Sequence, residues 1–305
     1  MKQLIQWLNS FGIIQPGVNI LADFLSSPLA PFLNLCADLR LTKKYPDIAG
    51  HKICVAGLPK SGTTLVEEIL RFNDYLDLSH TSIRRSPRFG ISEPGNQLPR
   101  NLFKFCSSSD KVFVKSHINA SPQNLQIIAS EKIELLVVIR DLREMMISRY
   151  FHIMNSPRNP RHNLLAGLPE KEGLFRSMIN PVDGLVPLEY FASWIMGWLH
   201  YAPERIISYE QFNADTEKYI GLITSHLKVK KTISNNLRHI REHNANLKSR
   251  TLRQNLSLRG RQRSTFRPAG PRGWNNLFSD QLKEEFKRRA QSCLVLSGYE
   301  KDANW

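Results

Sequence analysis

"AGLPKSGTTL", residues 56–65, decides the fold. It joins an apolar run, "KICVAGL" (52–58), to "GTTLVEEILRF" (62–72), where Leu65, Ile69 and Phe72 recur at helical spacing. A short run rich in Ile and Val is the pattern of a parallel strand buried on both faces. A glycine-bounded turn between strand and helix exposes backbone N–H groups next to a positive helix N-terminus, a cradle for phosphate. Thr63 and Thr64 add hydroxyl donors. Loops that bind nucleoside triphosphates end in Gly-Lys-Ser/Thr. Here the lysine is Lys60, two residues before Gly62.

The same alternation continues outward. "KVFVKS" (111–116), "IELLVVIR" (133–140) and "RIISY" (205–209) read as further strands, the second hydrophobic throughout and so expected at the centre. Helical patterns occupy 122–130, 141–154, 187–201 and 215–227. A terminal helix begins at the cap Ser279 and ends at Gly298. Alternating strands and helices predict an α/β three-layer sandwich: a central parallel sheet with a P-loop-like phosphate-binding turn. Ligands then bind beyond the carboxyl ends of the strands, where the loops after residues 58, 116, 140 and 209 meet. Residues 155–186, rich in Pro, Gly, Asn and Arg, read as a long loop or lid. Residues 248–272 hold eight Lys or Arg and no acid, and read as a solvated basic surface or a partly disordered loop.

Lys and Arg number 42 against 27 Asp and Glu in 305 residues, a net charge of +15 that implies an anionic partner without naming it. Cys36, Cys54, Cys106 and Cys293 are scattered and form no disulfide framework or Cys-x-x-Cys pair, as expected of reduced thiols. Residues 3–22 carry no charge, but Gln3, Gln6, Asn9, Ser10 and Pro16-Gly17 interrupt the apolar residues. Two packed helices fit better than a spanning segment or a secretory leader. The expected organisation is an N-terminal helical extension, 1–50, on a main domain, 51–305. The expected location is cytoplasmic, with peripheral membrane contact through the N-terminus left open.

Five stretches, in order, carry a family resemblance. "PKSGTT" (59–64) resembles the 5′-phosphosulfate loop of the sulfotransferases that use 3′-phosphoadenosine 5′-phosphosulfate (PAPS). "VKSHI" resembles their Lys-Thr-His element and supplies Lys115 and His117. "IRDLREMMIS" resembles the 3′-phosphate motif, with Arg140 closing a strand and Ser148 eight residues on. "ISYEQF" resembles the segment whose tyrosine, here Tyr209, lies near adenine. "FRPAGPRGWNNLF" is similar to the C-terminal signature, with Arg267 seven residues before Trp274, but Pro268 and Ala269 replace Lys-Gly and Gly273 replaces Asp. The resemblance implies PAPS as donor, cradled by Lys60, Ser61, Gly62, Thr63, Thr64, Arg140, Ser148, Tyr209 and Arg267.

It also implies a division of chemical labour. An acceptor hydroxyl or amine must lose a proton, and His117 suits a base near neutral pH. Charge grows on the departing phosphate oxygen, where Lys60 neutralises it. Lys115 projects from the same side of the strand as His117 and steadies the transferring group. No metal is required, because the donor has no chain of phosphates. The acceptor is expected to be a small molecule, lipid or sugar before a protein, with no nucleic acid partner. Residues 80–100 and 155–186 would line its pocket, where Arg84, Arg85, Arg88, Arg158 and Arg161 favour an anion. Two other classes compete: a magnesium-dependent P-loop kinase, and a non-enzymatic polyanion binder built on residues 248–272. "HIREH" (239–243) matches an inverted zinc-protease motif but reads better as a surface helix with two exposed histidines.

Overall fold

Successive side chains of the first strand alternate between two apolar cores. Cys54 and Ala56 enter one, Ile53 and Val55 the other, and all four are fully buried. A computed structural model gives residues 51–80, 98, 111–157, 159, 161–179, 185–226, 231–257 and 273–305, with 248–257 described for the backbone alone. In chain order the elements are β1 (His51–Gly57), α1 (Thr63–Phe72), β2 (Leu76–Asp77), β3 (Lys111–Ser116), α2 (Pro122–Ser130), β4 (Glu134–Ile139) and α3 (Leu142–Met154). There follow α4 (His162–Leu165), α5 (Glu170–Met178), α6 (Leu188–Tyr201), β5 (Ile206–Ser208), α7 (Tyr209–Ala214), α8 (Thr216–Ser225), α9 (Ile233–Ser257) and α10 (Asp280–Leu296).

The strands form one parallel sheet in the order β2-β3-β1-β4-β5. Odd and even positions sort cleanly. Val112, Val114, Leu135 and Val137 join Cys54 and Ala56 beneath α3, α5, α6 and α10. Phe113, Leu136, Val138 and Ile207 join Ile53 and Val55 beneath α1, α7, α8 and α9. That is the expected three-layer α/β sandwich. Full burial of each such side chain contributes about 1.5–3 kcal/mol, so the sheet is the stiff frame on which the loops stand. The chain builds β2 and β3 on one side of β1, then crosses to β4 on the other. The crevice at this reversal opens at the carboxyl edge.

Several expectations need correction. The centre of the sheet is β1, with β4 beside it; both are buried on both faces, and hydrophobicity cannot rank them. The expected lid over 155–186 contains α4 and α5, because Leu165, Leu174 and Met178 reach the core. Gly173 lies inside α5 where a Cβ would stand 2.7 Å from the Tyr150 hydroxyl, so the glycine permits close packing on α3. Of the two readings of the basic run from 248, a solvated surface or a partly disordered loop, the loop fails as far as Ser257: α9 is helical to there and meets no Gly or Pro before Gly260. Tyr209 opens α7 rather than closing a strand, because Ser208 caps that helix through Gln211 N. His239 and His243 are half-buried, not exposed. His239 stacks on Phe72 at 4.3 Å, and the two rings face Glu68 at 3.7 and 3.3 Å. The N-terminal extension, Arg84, Arg85, Arg88, Arg158 and Arg267 lie outside the described residues.

Candidate active site

The turn after β1 is held from within. Leu58 O accepts from Ser61 N at 3.1 Å and from Ser61 Oγ at 2.8 Å. Lys60 and Gly62 both take left-handed backbone, φ 72° and 96°. For lysine this is an uncommon conformation of the kind that collects at functional turns. Gly57 is required by close approach: a Cβ there would stand 2.3 Å from Thr63 Cγ2 and 2.9 Å from Ser61 Oγ. Among the described residues no side chain caps α1; Leu65 N donates to Gly62 O at 3.1 Å, which leaves the N–H groups of Thr63 and Thr64 for an outside acceptor. Ser61 and Thr63 are buried, whereas Thr64 is exposed. Ser61 therefore shapes the turn, and Thr64 offers the accessible hydroxyl.

Arg140 leaves the end of β4 and reaches across to this turn. Its Nη1 donates to Lys60 O at 3.1 Å, and its guanidinium lies over the Tyr209 ring at 4.7 Å. The same ring lies close against Gly62, where a Cβ would sit 2.2 Å from Tyr209 Cδ2. Lys60, Gly62, Arg140 and Tyr209 thus form one unit drawn from three loops. Burial, and then the charge of Arg140, lowers the Lys60 pKa below its usual 10.5. Two cations pressed together at a strand edge form a site that an anion relieves. Ser148 lies nearly two turns into α3, half-buried, on the helix that starts beside Arg140.

His117 stands where β3 has just ended, next to Gly57 in the register that pairs Ser116 with Ala56. Its Nδ1 donates to Gly57 O. A carbonyl only accepts, so Nδ1 carries the proton and, in the neutral ring, Nε2 is the basic nitrogen. The backbone here is anchored by α6. Trp194 Nε1 donates to His117 O at 3.2 Å and to Ile118 O at 2.8 Å, and Trp198 Nε1 to Ile118 O at 3.2 Å. Lys115 is on the same side of β3 as His117, but its ammonium is taken up by the buried Glu67 of α1 at 2.6 Å.

Three participants escaped the sequence reading. His152 lies one helical turn beyond Ser148, with a buried Nδ1 that has no hydrogen-bond partner among the described residues. Burial, and then the charge of Lys60, lowers its pKa from 6.5. Its spacing from Ser148 was the available signal. Glu210 follows Tyr209 directly, and its Oε1 is 3.7 Å from Arg140 Nε. Tyr299, at the far end of the chain, donates to Glu210 Oε2 at 2.6 Å, which no local pattern announced. Cys54 and Cys293 are buried free thiols pushed up to about 12 by burial, so neither is a nucleophile at neutral pH. Among the described residues no group of three or more His, Cys, Asp or Glu is placed to hold a metal ion. Among the same residues no helix is long and apolar enough to cross a membrane.

The sulfotransferase domain family matches residues 51–298. Mouse sulfotransferase SULT7A1, solved in complex with PAP, superposes with a TM-score of 0.55 at 15% identity, over 82% of this chain and 89% of that one. Retinol dehydratase, solved with androsterone and the inactive cofactor PAP, gives 0.54 at 15% identity, over 80% of each chain. No curated protein matches the chain significantly. The low identities establish a shared fold, and the family match spans the sheet and every loop at its carboxyl edge: this chain belongs to the sulfotransferase domain family.

Proposed function

We propose that the chain transfers a sulfuryl group from PAPS to a hydroxyl or amine of a small acceptor, with His117 as general base. The observation that supports the reading is the joining of two loops at the carboxyl edge of the sheet: Arg140 Nη1 donates to Lys60 O, and burial, then the Arg140 charge, lowers the Lys60 pKa. Lys60, the free N–H groups of α1 and the hydroxyl of Thr64 would hold the 5′-phosphosulfate. Arg140 and Ser148 would hold the 3′-phosphate, joined by Arg267, and Tyr209 would pack near the adenine. The two fold relatives solved with PAP support this class of nucleotide, and androsterone in one of them supports an alcohol as acceptor.

In the transfer, the acceptor oxygen attacks sulfur and its proton passes to His117 Nε2. The bond from sulfur to the 5′-phosphate oxygen breaks, and its electron pair stays on that oxygen. Lys60 meets the new charge, and the preset turn does so without reorganising. Lys115 is paired with Glu67 at 2.6 Å, so it does not enter this step as a free ammonium. The domain boundary near residue 51 and a cytoplasmic location remain part of the same reading. The test is turnover of PAPS labelled in its sulfur, with ATP labelled in its γ-phosphate as the competing arm. His117→Ala is expected to lower turnover about 10²- to 10⁴-fold while PAP still binds. Phosphate transfer from ATP alone, or PAP binding lost together with His117, would overturn the proposal.

A further inference from the structure

Arg140 ends its strand with a long side chain that must point one way for the site to work. Its Nη1 is fixed by Lys60 O, and its Nε faces Glu210 Oε1. Glu210 is itself tightly held. Both its oxygens are 3.3 Å from Asp141 N, and Oε2 accepts from the Tyr299 hydroxyl at 2.6 Å. Ser208 Oγ lies 3.0 Å from the same hydroxyl. Tyr299 arrives from the turn that ends α10, where Gly298 takes φ 76° and Tyr299 N donates to Leu294 O at 2.9 Å. Burial, and then the charge of Glu210, pushes the Tyr299 phenol well up, so it remains a donor at any working pH. Burial also pushes the Glu210 carboxyl up, and the Tyr299 bond opposes that by favouring the carboxylate.

We infer that Tyr299 and Glu210 are positioning residues for the donor nucleotide: the phenol orients the carboxylate, and the carboxylate aims Arg140 at the 3′-phosphate. The inference rests on the donor reading above and deepens it. A segment about 160 residues downstream of Arg140 in sequence thereby sets how strongly one phosphate of the ligand is recognised. The carboxylate orients the guanidinium by charge: Oε1 lies 3.7 Å from Nε, beyond hydrogen-bond reach, and Nε is buried with no hydrogen-bond partner among the described residues.

The experiment compares PAP with adenosine 5′-phosphate, which lacks the 3′-phosphate, by titration calorimetry on the full chain. Wild type is expected to prefer PAP. Tyr299→Phe is expected to shrink that preference about 3- to 10-fold, the scale of one ordinary hydrogen bond, while leaving adenosine 5′-phosphate affinity within about twofold. Glu210→Gln keeps the shape and removes the charge; it should shrink the preference at least as far, and adding Tyr299→Phe should cost little more. A merely structural role would weaken both ligands alike, and that outcome overturns the inference. A Tyr299→Phe chain that keeps the full preference does so too. A wild-type chain that binds the two ligands equally overturns the donor reading and this inference together.

Discussion

Replacing Gly62 with alanine strikes the site at its tightest contact. The new Cβ would lie 2.2, 2.9 and 3.1 Å from Tyr209 Cδ2, Cε2 and Cγ. Those atoms include the root of the ring, so a small rotation of the ring tip does not relieve the clash. The backbone at φ 96° is a second, separate cost. A left-handed conformation disfavours alanine by roughly 1–2 kcal/mol, and it is present with or without ligand, so it appears in the melting temperature. Displacing Tyr209 acts on the ligand instead. It strips Arg140 of a stacking contact at 4.7 Å worth about 0.5–2 kcal/mol. It also removes the surface proposed for adenine. Gly62→Ala should therefore raise the PAP dissociation constant about tenfold, equivalent to ~1.4 kcal/mol. The assay is a double-mutant cycle by calorimetry. If the clash acts through the ring, Tyr209→Ala should absorb the binding effect, and Gly62→Ala with Tyr209→Ala should bind like Tyr209→Ala alone. Wild-type affinity in Gly62→Ala, or binding losses that simply add, would refute the reasoning.

Trp194→Phe leaves a smaller aromatic ring and deletes the N–H that holds His117 O and Ile118 O. It should lower kcat about 2- to 10-fold, the worth of one hydrogen bond, with the PAPS KM unchanged; an equal rise in KM would point to general loosening. His152 should titrate below its ordinary 6.5, since burial and the Lys60 charge both disfavour the imidazolium. Its contribution to stability is then complete above 6.5 and is lost as pH falls through the lowered value. Lys60→Met removes one cause and should raise the His152 midpoint, read from its ring proton in an NMR titration; an unmoved midpoint would separate the two side chains.

Local chemistry explains what the sequence revealed. Strand periods, the Ser279 cap and the turn at Lys60-Ser61-Gly62 depend on residues within a few positions of one another. So they could be read directly, and they placed the loop after each principal strand at one edge. Residues 155–186 misled because their Pro and Gly punctuate short helices instead of abolishing them, and the apolar positions that bury α5 are few. The partnership of Lys115 with Glu67 depends on how α1 crosses β3, and the approach of Tyr299 to Glu210 on how the chain end folds back. Neither leaves a periodic trace. Glu210 was visible beside Tyr209, yet only geometry gives a carboxylate next to a phosphate-binding arginine a purpose.

The most direct measurement is sulfur transfer itself, in metal-free buffer, from PAPS labelled in its sulfur to a panel of phenols, sterols, sugars and amines. Wild type should label at least one acceptor class, and His117→Ala should fall about 10²- to 10⁴-fold, the scale of general-base catalysis, while binding PAP as tightly as wild type. Transfer that survives His117→Ala at the wild-type rate, or label that moves only from the γ-phosphate of ATP, would contradict the proposed chemistry.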